Sequence, residues 1–289
     1  MKLLVYGAGV LGSLFAARMH EVGHDVSLLA RGERLTALRR RGVQLAEEGG
    51  PVRRVPVRVI EHPDGGYDLI TVLVRTHQVD AVLESLVGVQ GDVLFLHNWA
   101  AGPEPLGAVI GHERVLLGFP AAAGTMDGDV VRYRKTNFMT RRVAMPIGEP
   151  DGRTTPRIER IVETFRTAGI TAKAEPHMDA WLKTHAAFEV PLGQAVHAAG
   201  GPAMLADDPD AVRGMLHRMR ENLAAMKTPP VPRAFTALQM LPQGLLAAVL
   251  RRFLKSPTAA HSGLNAPSSA TTAELERLAE QLRAPAGSR

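Results

Sequence analysis

Short apolar runs alternate with amphipathic segments through the first part of the chain. The apolar runs predict strands at residues 2–6, 26–30, 68–74, 92–96 and 114–117. Apolar residues at helical spacing predict helices between them, at residues 10–22, 34–41 and 78–86. Such alternation is typical of a mainly parallel sheet with helices on both faces. A strand at 52–60, paired strands at 129–147 and a helix at 155–168 complete this part.

The pattern changes after about residue 175, where strand-like runs almost disappear. Helical periodicity then predicts helices at residues 178–199, 210–226, 243–254 and 272–283. We therefore predict an α/β protein in which a Rossmann-type doubly wound sheet, residues 1–175, precedes an all-helical domain, residues 176–289.

Composition narrows the possible classes of protein. The 289 residues suffice for two domains, and the 45% hydrophobic content is ordinary for a globular protein. The absence of cysteine excludes disulfides, cysteine-based zinc sites and thiol nucleophiles, and it fits a cytoplasmic location. Since no apolar stretch approaches the ~20 residues that a bilayer requires, we expect no membrane association. The histidines form no metal-binding pair, so we expect no metal.

The charge balance permits an anionic partner. The net charge is +5, and only six of the 34 basic residues are lysine. Because aromatic residues make up only 4% of the chain, too few for a base-stacking surface, we expect no nucleic-acid partner.

A glycine-rich motif follows the first predicted strand. It reads Gly7-Ala8-Gly9-Val10-Leu11-Gly12 and opens an amphipathic helix that leads to a second strand. In this context GxGxxG is the dinucleotide-binding fingerprint. The first glycine makes a tight turn, the second admits a pyrophosphate, and the third lets helix and strand pack closely. We therefore predict that these six residues bind a dinucleotide.

The end of the second strand indicates which dinucleotide is bound. A carboxylate here would accept the ribose 2′-hydroxyl of NAD. The chain instead has Arg31, whose planar guanidinium suits the 2′-phosphate of NADP, and Arg34 is a second candidate for this contact. Glu33 is the opposing signal. We predict NADP(H) as the cofactor.

At this point the sequence resembles the ketopantoate reductase (2-dehydropantoate 2-reductase) family. The opening GAGVLGSLFAARMHEVGHDVSLLARGERL is similar to the start of that family. Further on, Val74–Gln78 resembles its V-K-A-x-Q element, Phe95–Asn98 its Q-N-G turn, and Asp179–Lys183 its W-x-K helix. The resemblance implies a 6-phosphogluconate-dehydrogenase-like helical C-terminal domain, an active site in the interdomain cleft and a possible homodimer.

The resemblance also implies an activity, the NADPH-dependent reduction of a small 2-oxo acid in pantothenate biosynthesis. Lys183 would be the catalytic residue, acting as general acid. The residue type agrees with this role, because a chain rich in arginine keeps lysine here, and only lysine can release a proton at accessible pH.

Further site residues follow from the resemblance. Asn98 would bridge cofactor and substrate, and Ser262 would bind substrate. Arg75, Gln78, Ala123 and Glu274 would contact the cofactor. For Glu274 a solvated helix carboxylate is an equal alternative, for Ser262 a polar loop residue, and for Ala123 tight packing.

Three positions depart from the family pattern. Arg75 replaces a family lysine, which retains a cation. Ala187 and Pro191 replace two asparagines that hold substrate in the family, and Pro191 should free the carbonyl of Ala187 and kink the helix. Gln194, on the face of Lys183, is a candidate substitute contact. The substrate is therefore open: the alternatives are another carbonyl or imine, or a non-catalytic role as an NADP sensor.

Overall fold

The computed structural model describes residues 1–133, 144–256, 259 and 268–284. The chain divides into two compact units. The first contains residues 1–97 and 103–178, and the second contains residues 98–102 and 179–289. This grouping differs from the predicted division at residues 98–102, which lie with the helical unit, and at residues 176–178.

The first unit contains all the strands of the described chain. They are β1 (Lys2–Tyr6), β2 (Asp25–Leu29), β3 (Val43–Glu47), β4 (Arg53–Val55), β5 (Arg58–Ile60), β6 (Leu69–Val72), β7 (Asp92–Leu96), β8 (Val115–Gly118), β9 (Gly124–Asp127), β10 (Val130–Tyr133), β11 (Met145–Gly148) and β12 (Ala172–Ala174). The helices of this unit are α1 (Val10–Glu21), α2 (Gly32–Arg41), α3 (Val79–Leu86), α4 (Glu104–Ile110) and α5 (Pro156–Thr167).

Eight strands form the main sheet, in the order β12-β11-β8-β7-β6-β1-β2-β5. Neighbouring strands are parallel except for β8 and β11, which are antiparallel. From β1 the chain proceeds outward through β2 on one side and through β6 on the other. The order therefore reverses beside β1, and open α/β sheets bind ligands at such a switch point, beyond the carboxyl ends of the strands.

The core of the first unit lies between this sheet and its helices. Phe15 of α1 and Phe165 of α5 are both 1% exposed, and their rings meet edge to face with centroids 5.9 Å apart. The four residues of β6 are all buried, as expected of a central parallel strand.

A second sheet of four strands has the order β4-β3-β10-β9. The single strand predicted at 52–60 is wrong: β4 joins this sheet and β5 the main one, because Pro56 between them cannot donate to a ladder. The pairing predicted within 129–147 also differs, because β10 pairs with β9 before it, across a turn in which Gly128 has φ +57°. Strand β11 lies in the main sheet. Residues 134–143 are outside the described part.

The second unit is helical over the part that the structure describes. Its helices are α6 (Met178–Ala199), α7 (Pro202–Asp207), α8 (Pro209–Ala225), α9 (Thr236–Met240), α10 (Gln243–Leu254) and α11 (Ser269–Arg283). Apolar residues of α6, α7, α8 and α10 form one core cluster. A smaller cluster joins α6 to α11 through Val190, Leu275 and Leu278, and it includes Ala100.

The predicted fold class, an N-terminal Rossmann-type sheet followed by a helical part, is confirmed. Among the described residues, no helix combines the length and the apolar character that crossing a membrane requires.

Candidate functional site

The glycine-rich turn, residues 7–12, joins β1 to α1, and backbone atoms determine its shape. Gly7 has φ +111°, and a Cβ built on it would lie 2.6 Å from the carbonyl oxygen of Leu73. A Cβ on Gly12 would overlap the carbonyl oxygen of Gly7. Since backbone atoms cannot move aside as a flexible side chain does, only glycine fits at these two positions.

Gly9 has a different environment, which fits a bound pyrophosphate. A Cβ built on Gly9 would meet no heavy atom within 4 Å. Gly9 is also the N-cap of α1, where no side chain accepts a capping hydrogen bond and the first turn has no acidic residue. The first N–H groups of a helix lack intrahelical partners and attract anions. Ala8, Val10 and Leu11 contribute backbone to the same turn.

Arg31 lies at the end of β2 as the sequence predicts, and its side chain is exposed. Its Nη2 donates to the hydroxyl of Tyr6 at 2.6 Å, and the guanidinium lies 5.7 Å from the centroid of that ring. Ser85 donates to the same hydroxyl at 3.0 Å. One edge of the guanidinium is therefore anchored on β1, while the residue itself remains accessible to an anion.

The segment after β6 lies against the glycine-rich turn. Leu73 and Val74 are the neighbours that a Cβ on Gly7 would meet. Arg75 and Gln78 follow, both exposed, and the Arg75 N–H donates to Oε1 of Gln78 at 3.1 Å. The structure thus places both predicted cofactor residues in one short turn that continues from the backbone packed against Gly7.

The small residues that follow β8 lie at the start of α1. A Cβ on Gly124 would lie 2.6 Å from the carbonyl oxygen of Arg132 and 3.0 Å from a Val10 methyl group, so the backbone requires glycine here and Gly124 lies beside Val10. Ala123, the preceding residue and a predicted cofactor contact, is exposed.

Lys183 belongs to a cluster in the second unit, which we call the lysine cluster: Lys183, Asp179 and Gly102. Nζ of Lys183 donates to Oδ2 of Asp179, one helical turn earlier on α6, at 2.6 Å. Both side chains are partly exposed, at 28% and 30%. A Cβ on Gly102, which has φ +80°, would lie 3.7 Å from Asp179 Oδ1 and 3.7 Å from Lys183 Nζ. A cation that is both held and accessible can serve as a proton donor.

Two hydrogen bonds support residues 98–102, one within the segment and one to α11. The Trp99 indole N–H donates to the carbonyl oxygen of Gly102 at 2.6 Å. The buried Ala100 N–H donates to Oε1 of Gln281, on α11, at 2.9 Å. Asn98, the predicted bridge between cofactor and substrate, is the first residue of this segment and is half-buried.

The two positions where the family has asparagine are buried. Ala187 is 0% exposed and Pro191 is also buried, so neither presents a surface to a ligand. Helix α6 runs through Pro191 without a break. The carbonyl of Ala187, which Pro191 cannot engage, accepts a hydrogen bond from Nδ2 of Asn222 on α8 at 3.3 Å.

The structure does not place the remaining predicted contacts, Gln194, Glu274 and Ser262, beside Lys183. Gln194 is exposed and lies eleven residues along α6, which corresponds to about 16 Å at 1.5 Å per residue. A substrate contacting both side chains would have to span that distance. Glu274 is half-buried on α11, next to Leu275, which a Cβ on Gly193 would meet at 2.8 Å. Ser262 lies outside the described residues.

His185 belongs to a different face of α6. Its ring stacks on Trp181 with centroids 5.2 Å apart, and its Nε2 lies 2.8 Å from Oε2 of Glu189. His77 is exposed in the turn after β6.

Three contributors to the lysine cluster and its support were not singled out from the sequence. Asp179 had a visible signal, because an acid four residues before a lysine on a helix predicts an ion pair. Gly102 and Gln281 had none, since their roles depend on contacts between segments that are distant in sequence.

Residues 3–141 match the family described as ketopantoate reductase PanE/ApbA. The 2-dehydropantoate 2-reductase of Mesorhizobium japonicum is 26% identical over 213 residues, covering 63% of this chain and 63% of that protein. The enzyme of the same name from Pyrococcus horikoshii is 28% identical over 188 residues, covering 63% of this chain and 58% of that protein.

These matches span about three fifths of the length of the two curated relatives. The fold extends further: a solved structure of 2-dehydropantoate 2-reductase from Geobacter metallireducens superposes with a TM-score of 0.72 at 18% identity, covering 97% of this chain and 94% of the other. Residues 3–141, just under half of the chain, are therefore similar to the ketopantoate reductase family, and over the rest of the chain the likeness is one of fold.

Proposed function

We propose that this protein is an NADPH-dependent reductase that converts a small 2-oxo acid, or a related ketone, to the hydroxy compound. The observation that carries the proposal is the lysine cluster, in which Asp179 holds the ammonium group of Lys183 at 2.6 Å. The family match and the open space at Gly9 support the same proposal.

The cofactor would be held by the first unit. The glycine-rich turn and the start of α1 would bind the pyrophosphate, because Gly9 leaves room and, as a glycine N-cap, supplies no capping side chain to the first N–H groups of the helix. Arg31 would bind the 2′-phosphate through the guanidinium donors that Tyr6 does not use. Arg75 offers a second cation and Gln78 an amide. By resemblance, Ala123, Asn98 and Glu274 would complete the contacts.

A bound reduced nicotinamide would supply the hydride that reaches the carbonyl carbon. Lys183 donates a proton from Nζ to the carbonyl oxygen as negative charge develops there, which gives a hydroxyl group. Asp179 orients Nζ before this transfer and stabilises the ammonium. The neutral amine then recovers a proton from solvent, which its partial exposure permits.

The substrate class follows from what the positions after Lys183 lack. Ala187 and Pro191 provide no side-chain hydrogen bonds where the family has two asparagines. We therefore propose recognition chiefly through the 2-oxo acid group itself, with ketopantoate as the first compound to test and other 2-oxo acids beside it.

The test is NADPH oxidation with ketopantoate and a panel of 2-oxo acids, ketones and imines, with NADH run in parallel. Wild type is compared with Lys183→Met and with Lys183→Arg, which keeps the charge but cannot release a proton. We expect both variants to lose about 10²–10⁴-fold in kcat while NADPH still binds.

Each contrary outcome points to a different function. Full activity in Lys183→Arg would rule out proton donation by this residue. Turnover of an imine or an unrelated ketone, but of no 2-oxo acid, would replace the proposed substrate class. Tight NADPH binding without turnover of any compound would favour a sensor.

A further inference from the structure

Arg34 occupies the same end of α2 as Arg31, yet its guanidinium faces protein oxygen atoms. Nε donates to the carbonyl oxygen of Ala8 at 3.1 Å, and Nη2 donates to Oγ of Ser13 at 3.1 Å. Nη1 donates to the carbonyl oxygen of Asp129, in the β9–β10 turn, at 3.2 Å and lies 3.5 Å from its carboxylate. All three nitrogens are therefore engaged within the first unit.

The Ala8 carbonyl is the centre of this arrangement. It accepts a second hydrogen bond from Oγ of Ser13, a residue that is fully buried, at 3.2 Å. A peptide unit is planar and trans, so its carbonyl and the following N–H point in opposite directions. Fixing the Ala8 carbonyl from the α2 side therefore also fixes the direction of the Gly9 N–H, which points away from Arg34.

We infer that Arg34 is a positioning residue of the cofactor site: it fixes the Ala8–Gly9 peptide in the glycine-rich turn and does not read the 2′-phosphate. The inference rests on the proposed function, since it concerns how this turn receives a dinucleotide pyrophosphate. The inference gives two arginines, three residues apart, different roles. Arg31 is exposed and would bind the 2′-phosphate, whereas Arg34 contacts the glycine-rich turn and positions it.

The charges around Arg34 are consistent with this role. Burial lowers the pKa of Arg34, while the neighbouring Asp129 acts in the opposite direction. Arg41, at the other end of α2, also pairs with Asp129, at 2.6 Å. The three donor contacts need a planar group with three nitrogen atoms. Lysine, with a single ammonium group, cannot make all three.

Arg41 provides a matched control, because it shares the helix and the Asp129 partner, and among the described residues none of its polar contacts reaches the glycine-rich turn. Binding of NADPH and of NADH is titrated by nicotinamide fluorescence for wild type, Arg34→Met, Arg34→Lys, Arg41→Met and Arg31→Met. Hydrogen exchange of the peptide covering residues 7–13 is measured without cofactor, at a temperature where each variant is folded.

For Arg34→Met we expect the Kd of both cofactors to rise by about tenfold, so that the ratio between them is unchanged. Arg34→Lys should be nearly as weak, and both should speed exchange in residues 7–13. Arg31→Met should weaken NADPH alone, and Arg41→Met should change neither Kd nor exchange.

Three results would overturn the inference. One is a loss of NADPH binding alone in Arg34→Met, which would make Arg34 a reader of the 2′-phosphate. Another is an equal effect of Arg41→Met, which would assign the role to Asp129. The third is unchanged exchange in Arg34→Met. Wild type that binds neither cofactor would instead overturn the proposed function, and this inference with it.

Discussion

The glycine-rich turn and the lysine cluster are built in opposite ways. The turn consists of consecutive residues, and backbone atoms give it its shape: Gly7 packs on a neighbouring carbonyl, and Gly12 packs on Gly7. The lysine cluster combines two segments, with Lys183 and Asp179 on α6 and Gly102 in the 98–102 segment. A side chain from a third, Gln281 on α11, holds that segment.

The difference determines how each region tolerates change. A backbone-built site is disrupted when an atom is added where backbone already packs, as at Gly7 and Gly12, since the neighbouring backbone cannot yield. A side-chain-built site fails when a partner is removed, because an orphaned buried group or a misdirected ammonium remains. Added atoms should therefore do most damage at Gly7 and Gly12, and deletions should do most damage in the lysine cluster.

The largest effects are expected from adding one methyl group to the turn. Gly12→Ala places a Cβ onto the Gly7 carbonyl oxygen, which should cost about 3 kcal/mol or more of unfolding free energy. Gly9→Ala meets no protein atom within 4 Å, so its stability should match wild type. Its Kd for NADPH should nevertheless rise about 10–100-fold, since the methyl group enters the space assigned to the pyrophosphate.

Thermal denaturation of the two variants measures the effect on protein packing, and NADPH titration measures the effect on the space for the cofactor. A stable Gly9→Ala that binds NADPH as wild type does would show that the pyrophosphate lies elsewhere. An undamaged Gly12→Ala would contradict the view that backbone packing determines the turn.

The next effect concerns a deletion in the lysine cluster. Asp179→Asn removes the carboxylate that holds Nζ of Lys183 at 2.6 Å. We expect kcat to fall about tenfold, the equivalent of one charge-assisted hydrogen bond, with little change in KM or in NADPH affinity. Asp179→Glu, which keeps an i,i+4 ion pair, should recover most of the lost kcat. A rise in KM at constant kcat would instead make Asp179 a substrate contact.

A smaller effect should follow from deleting the support of the 98–102 segment. Gln281→Leu leaves the Ala100 N–H, in a residue only 4% exposed, without its acceptor. We expect a loss of about 1–3 kcal/mol in unfolding free energy by denaturant titration, together with reduced turnover. Glu280→Leu, at an exposed position on the same helix, is the control and should change stability by less than about 0.5 kcal/mol. Equal stability of both variants would remove Gln281 from the support of the segment.

The sequence predicts a region well where its contacts are local in sequence, and poorly where they join distant segments. The glycine-rich turn is local, so the motif, the preceding strand and the following helix were enough to place it. The Asp179–Lys183 pair is also local, at helical spacing. The hydrogen bond from Ala100 to Gln281 crosses 181 residues, and no local pattern marks it. The second sheet escaped prediction for the same reason, since β3 pairs with β10 across most of the first unit.

The smallest expected effect tests how the helical unit accommodates Pro191, which supplies no N–H to the carbonyl of Ala187. Asn222 donates to that carbonyl at 3.3 Å, so Asn222→Ala should cost about 0.5–1.5 kcal/mol of unfolding free energy. Pro191→Ala restores the backbone donor, and in that background Asn222→Ala should cost clearly less. The double-mutant cycle, measured by denaturant titration, should give a coupling free energy of about 0.5 kcal/mol or more. Strict additivity would show that Asn222 does not compensate for the proline. Coupling would show that the second unit compensates for a missing backbone donor with a side chain distant in sequence, whereas Gly7 and Gly12 of the glycine-rich turn pack directly on backbone atoms.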